Sequence, residues 1–189
     1  RPDLMAVVAV GDFDPKEVEK TIKEKFGRIT GRETVRERTS AEMPDHVETQ
    51  IAIGSDPEAT NNLVQPVYKH PRSQAKSAKD YHNTMVASLC NTMLDARLSE
   101  LTKQADPPFL YAFSGYSSMI RTKNNFSGFA VTPENGHLGA LRAMLTENMR
   151  VMEHGFTASE LERAKQSTMA GLEKQLNEKD KTPSRRIIG

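Results

Sequence analysis

From Val86 to Leu101, apolar side chains at Val86, Leu89, Cys90, Met93, Leu94, Leu98 and Leu101 recur at spacings of three and four. That period is helical, so the spacing predicts a long helix over about Ala78–Lys103 with one apolar stripe that a second layer must cover. Pro107-Pro108 ends it, because the residue before a proline is pushed out of the helical region. Elsewhere the period changes to two. His46–Ile53 alternates at Val47, Thr49, Ile51 and Ile53, and Leu4–Val10 is a short Val- and Ala-rich run bounded by Gly11-Asp12. A chain carrying both periods buries its apolar faces by laying helices on a sheet.

The remaining elements follow from their punctuation. Asp14 is a good N-cap, Pro15 suits the first helical position and Glu17 completes a capping box, with Val18, Ile22 and Phe26 on one face and Gly27 as the stop. Asn62–Lys69 reads as a strand whose Pro66 confines it to an edge or a bulge. Strands are expected over Phe109–Ile120 and Phe126–Val131, turned at Thr122-Lys-Asn-Asn125. A helix over Gly136–Glu153 carries Leu138, Leu141, Leu145, Met149 and Met152 on one face and stops at Gly155. Thr157-Ala-Ser-Glu160 is a second capping box, and Leu161, Ala164, Thr168, Leu172 and Leu176 line the last helix. The expected fold is α+β and two-layered, with a mostly antiparallel sheet and helices on one face, in the order β-α-β-β-α-β-β-α-α.

The 189 residues suit a single domain. Residues 1–27 form its first strand–helix unit, 28–45 a charged linker, 46–179 the remaining sheet and helices, and 180–189 a tail or the start of a connection. Arg1-Pro2 runs almost at once into an apolar segment, and apolar residues return at Arg185-Arg-Ile-Ile-Gly189, so the chain reads as a piece cut from a longer protein, with room for a targeting signal or an active site outside it. With 26 Lys and Arg against 25 Asp and Glu, the net charge of +1 removes the usual driver of nucleic-acid binding. No run approaches the roughly 20 apolar residues of a membrane span. A single cysteine, Cys90, excludes an internal disulfide and a Cys-based zinc cluster.

A search for chemistry assigns no catalytic and no metal-binding residue. His46, His70, His82, His137 and His154 contain no pair at the spacing that sets two imidazoles on one helix face. His154 suits a helix C-terminus, where the dipole favours a cation. Ser73-Gln-Ala-Lys76 matches a Ser-x-x-Lys nucleophile pattern but lies in a polar segment with nothing to desolvate the lysine. Asp12 and Asp14 are explained by capping, and Cys90 by packing within the helix stripe. Phe109–Tyr116 is the most aromatic stretch, with Phe109, Tyr111, Phe113 and Gly115 on one side and Leu110, Ala112, Ser114 and Tyr116 on the other. One side is core, and the other is free to meet a partner or a peptide.

Several segments together resemble the second domain of the inverzincin zinc metallopeptidases, the pitrilysin, insulinase and mitochondrial processing peptidase family. They are Val7-Val-Ala-Val-Gly-Asp-Phe-Asp14, the Lys25-Phe-Gly27 helix end, Met93-Leu-Asp-Ala-Arg-Leu-Ser-Glu-Leu101, the aromatic strand from Pro108 to Arg121, and Val151-Met-Glu-His-Gly-Phe-Thr-Ala-Ser-Glu-Leu-Glu-Arg-Ala-Lys165. The resemblance implies tandem α+β domains enclosing a peptide chamber. It puts the His-x-x-Glu-His zinc site in a preceding domain, whose two His and a distal Glu bind zinc while the intervening Glu is the base. This chain has no such motif, since His46 is followed by Val47-Glu-Thr-Gln50 and His154 by Gly155-Phe-Thr-Ala158. The resemblance therefore implies a non-catalytic supporting domain of a zinc-dependent peptidase, with sister domains or a homologous subunit as partners, a peptide as the parent's substrate, and a bacterial envelope location. Its alternative within the same fold is an inactive assembly subunit. A free-standing α+β enzyme is disfavoured by the lack of a convergent His, Cys, Asp or Glu set.

Overall fold

A computed structural model describes residues 4–31, 37, 39, 41–73 and 76–183. These belong to two compact units, Arg1–Ala41 with Leu172–Gly189, and Glu42–Gly171. Most of residues 32–40 of the expected linker, Gln74 and Ala75 of the Ser-x-x-Lys tetrad, and residues 184–189 of the tail lie outside the described residues.

In the first unit, helix α1 spans Pro15–Phe26. The Asp14 carboxylate accepts the Lys16 amide at 2.8 Å and Pro15 occupies the first turn, as expected, but the cap is Asp14 alone, with no reciprocal bond from Glu17. The expected strand over Leu4–Val10 does not form, and its residues are exposed. A strand is completed by a ladder, and no partner for this one lies among the described residues.

The second unit holds a four-stranded antiparallel sheet: β1 (Asn62–Val64), β2 (Val67–Pro71), β3 (Tyr111–Ser118) and β4 (Lys123–Thr132). β4 is central. β3 pairs along one side of it, with Phe113 opposite Phe129, and β1 and β2 lie end to end along the other. Asn62 faces Thr132 and Val67 faces Ser127, so one register runs unbroken through Pro66. The expected strand is therefore a single edge strand without a bulge, interrupted where proline lacks its donor. The Gly128 amide still donates to the Pro66 carbonyl, at 3.0 Å. A Cβ on Gly128 would lie 3.2 Å from the Pro66 ring and 3.1 Å from Met144 Sδ, so this closely packed site suits the residue that has none.

The hairpin turn is Met119–Thr122, earlier than expected, because Asn124 and Asn125 are already paired in β4. His46–Ile53, expected as a strand, is exposed, bends at Val47 and Glu48, and is without a ladder among the described residues.

Helices α2 (Ala78–Leu101), α3 (His137–His154) and the first turns of α4 (Ala158–Asn177) complete this unit. Leu98, Phe109, Ala112, Ala130, Ala140 and Met144 form the buried core between α2, α3 and one sheet face. The stripe of α2 is buried only over Met93–Leu98, while Val86 is exposed. On α3 the inward residues are Ala140, Met144 and Glu147, whereas Leu138, Met149 and Met152 point to solvent. Small Ala140 lets the helix approach the sheet, so the buried face lies around the cylinder from the one that side-chain bulk alone selects. The α3 C-cap Gly155 has φ +67°, a left-handed conformation that glycine adopts without strain.

Candidate functional site

Alternation along the ladder gives the sheet two unlike faces. Ala112, Ser114, Gly128 and Ala130 are buried toward the helices. The opposite face carries Tyr111 and Phe113 from β3, Phe129 and Val131 from β4, and Leu63 and Val67 from the outer strand. Tyr111, Phe113, Leu63 and Val67 are exposed there. Phe113 and Phe129 stack at 5.3 Å with planes 18° apart, and the Tyr111 ring lies 6.0 Å from Phe113. The aromatic side of the β3 segment is thus the free side. Its small residues face the core, because the helices pack closest where side chains are shortest. Phe109, at the start, is the exception and is fully buried.

α2 fixes the position of β3. Asn91 Nδ2 donates to the Tyr116 carbonyl at 3.0 Å, and Asn91 Oδ1 accepts the Tyr116 amide at 2.9 Å. One turn on, Asp95 Oδ1 accepts the Ser114 amide at 3.0 Å. Two side chains four residues apart thus occupy the outward groups of an edge strand and blunt it. Burial raises the Asp95 pKa from its ordinary value, with the Ser114 amide opposing that shift.

A second clamp ties α2 to the α3–α4 junction. Arg97 donates Nε to Glu160 Oε1 at 2.6 Å, Nη2 to Oε2 at 3.0 Å, and Nη2 to the Gly155 carbonyl at 3.0 Å. Its guanidinium lies 5.0 Å from the Phe156 ring centroid. Glu160 also accepts from the Thr157 amide and hydroxyl, so the expected capping box forms and carries an ion pair as well. The Arg97 hydrogen bond is the main cause that holds the Glu160 carboxyl down to about 2. Sequence alone yields the cap but not this partner, which lies 63 residues away.

Between α2, α3 and β4 lies an apolar cavity of about 270 Å³ lined by Cys90, Leu94, Phe126, Val151 and Phe156, with Asn91 and Asn148 among its walls. Cys90 is half-buried there.

The histidines stay apart. His46 Nδ1 lies 2.8 Å from the Glu48 carbonyl, His70 packs 5.3 Å from Tyr116, His82 and His137 are exposed, and His154 ends α3 beside Glu153. Asp80, two residues before His82, closes a capping box with Ser77. Ser73 Oγ accepts from Asn124, and the Lys76 amide donates to Asp80. Among the described residues no three His, Cys, Asp or Glu converge as ligands, so the donor set needed for zinc is not assembled from them. No described helix is long and apolar enough to cross a membrane.

Residues 1–168 match the model of the peptidase M16 inactive domain. This chain belongs to that family. The "Zinc protease PQQL-like" protein of Arabidopsis thaliana is 33% identical to this chain over 127 residues, which are 67% of this chain and 13% of the plant protein. The crystal structure of the periplasmic protease PqqL from Escherichia coli superposes with a TM-score of 0.74 at 18% identity, over 94% of this chain and 20% of that one. The structure of the first half of PqqL gives a TM-score of 0.73 at 18% identity, over 93% and 38% of the two chains. This chain thus spans a small part of the relatives it matches, and its α+β architecture is like theirs.

Proposed function

We propose that this M16 inactive domain walls the substrate chamber of a zinc-dependent peptidase. The catalytic zinc sits in a preceding domain, and this one contributes no ligand and no base. The observation that carries the proposal is the open aromatic sheet face, Tyr111, Phe113 and Phe129 with Leu63 and Val67, on a domain of a peptidase family. An apolar face of this kind meets a peptide without selecting one side chain, so recognition rests on extended shape and size.

The partner in this reading is a sister domain of the same fold. The likeness to the first half of a longer protease, a half of which this chain covers 38%, supports that arrangement. The parent's location in the bacterial envelope rests on the likeness to a periplasmic protease. Cell fractionation with an antibody to this domain tests it.

The functional test uses the full-length protein. Zinc content and cleavage of an unstructured peptide are measured for the native protein and for Phe113→Ser and Tyr111→Ser. The expected result is bound zinc, chelator-sensitive cleavage, and a several-fold lower kcat/KM in both variants with zinc content unchanged. Unaltered kcat/KM in both variants removes the face from the chamber. A native protein without zinc or cleavage refutes the peptidase assignment and leaves the assembly-subunit reading.

A further inference from the structure

The sheet treats its two edges differently. On β3, Asn91 and Asp95 occupy the outward groups of Tyr116 and Ser114. On the β1–β2 strand no such cover exists among the described residues. The Gly128–Pro66 bond fixes the even-numbered residues as those facing β4. The backbone groups of Leu63, Gln65, Val67 and Lys69 therefore point outward. Pro66, the residue type that commonly protects an edge, has its missing donor on the inner side, so every outward residue from Leu63 to Lys69 keeps its N–H.

The same unit carries an alternating segment with nothing to pair with. Val47, Ile51 and Ile53 are 104%, 82% and 92% exposed, an uncommon state for three apolar residues in period 2. Its start is tethered at the β2 end of the sheet, where Asp45 pairs with Lys123 at 2.7 Å and Lys69 donates to the Pro44 carbonyl. Its exit must reach Asn62 at the opposite end, so the chain has to return over the length of the β1–β2 strand. A turn is already in place. The Ala59 amide donates to the Asp56 carbonyl at 3.0 Å, and the Glu58 amide to the Asp56 side chain at 2.8 Å.

We propose that Val47–Ile53 is a built-in strap that closes on the β1–β2 edge as a fifth, antiparallel strand. Four-residue hairpin loops are commonly built around a turn like Asp56–Ala59. That loop pairs Ser55 with Thr60, hence Ile53 with Asn62, Ile51 with Val64 and Val47 with Tyr68. In this register Val47, Thr49, Ile51 and Ile53 join Val64 and Tyr68 on the helix-covered side, while Glu48 and Gln50 fall on the other. A slip of one residue reverses this. Closed, the strap satisfies the outward groups of Leu63, Gln65 and Val67 through Ala52, Gln50 and Glu48. Open, the same edge is free to pair with another extended chain, so the strap competes with any such visitor.

The test is residue-resolved amide exchange over residues 46–69 in the full-length protein. The expected result is slowing by about tenfold or more, relative to free-chain rates, at the amides of Glu48, Gln50, Ala52, Leu63, Gln65 and Val67. Ile51→Asp should abolish that protection on both strands, and Gln50→Asp should leave it. Both positions are exposed with the strap open, so neither substitution threatens the rest of the fold. Free-chain exchange throughout 46–53 in the native protein overturns the proposal. Protection that rises with protein concentration also overturns it, in favour of pairing between copies. The opposite response of the two variants overturns the register.

Discussion

The Arg97–Glu160 clamp makes the sharpest quantitative prediction. Arg97 and Glu160 side chains are only 21% and 16% exposed, and the pair is bidentate with a third bond to the Gly155 carbonyl. An exposed pair of this kind is worth about 0–1 kcal/mol, while breaking a buried pair costs about 3–5 kcal/mol. This clamp lies between those limits, so Arg97→Ala should cost about 2–3 kcal/mol, including the contact with Phe156. Arg97→Lys keeps the charge but loses the planar fork, and should recover less than half of that loss. The sign of the pH dependence follows from Glu160, whose carboxyl falls from 4.5 to about 2 on folding. A depressed carboxylate stabilises the fold above its unfolded pKa, and that contribution is lost as pH falls from about 4.5 toward 2. Urea unfolding at pH 7 and at pH 3 reads both effects. Glu160→Gln should be clearly destabilised at pH 7, with a smaller gap to the native protein at pH 3. An Arg97→Ala variant within 0.5 kcal/mol of the native protein, on the scale of about 0.5 kcal/mol usual for inert surface changes, refutes the reasoning. So does a gap that does not change with pH.

Three further expectations concern the same unit. Leu98 is fully buried against Phe109 and Met144, so Leu98→Ala should cost about 2–5 kcal/mol in denaturant unfolding. Asp95 is raised by burial, so its charge lowers stability as pH rises through its folded pKa. Asp95→Asn keeps an acceptor for the Ser114 amide and should be neutral or stabilising at pH 7, whereas Asp95→Ala should lose about 1 kcal/mol by the same measurement. A Cβ on Gly115 would lie 2.7 Å from Asn91 Cγ, so Gly115→Ala should displace the Asn91 clamp and raise amide exchange at Tyr116, which hydrogen-exchange measurements check.

Much of the architecture is legible without coordinates because its signals are local. The helix of Ala78–Leu101 follows from a 3.6-residue period, the caps at Asp14 and Thr157 from side chains that reach amides two and three residues on, and the Pro66 interruption from a missing donor. The absence of the His-x-x-Glu-His motif is likewise a property of the sequence as written. What escapes such reading depends on partners distant in the chain. Composition marks Leu4–Val10, and alternation His46–Ile53, as strand-like, but neither can supply a ladder, which is a property of two segments. Bulk selects Leu138, Met149 and Met152 for the buried face of α3, yet the interface turns on Ala140 and Met144, because close approach to a sheet rewards small residues. Alternation along β3 leaves open which side is core, and packing against the helices makes the aromatic side the free one.

The sequence by itself determined the helices, most of their ends and the want of a His-x-x-Glu-His motif, since each is set within a few residues by period, cap or spacing. Only the tertiary structure decided which faces are covered, that Glu160 of a helix cap also answers Arg97, and that one edge of the sheet is blunted by Asn91 and Asp95 while the other stays open. Those outcomes rest on contacts between residues tens of positions apart, and burial, charge pairing and edge protection exist only once such residues are brought together.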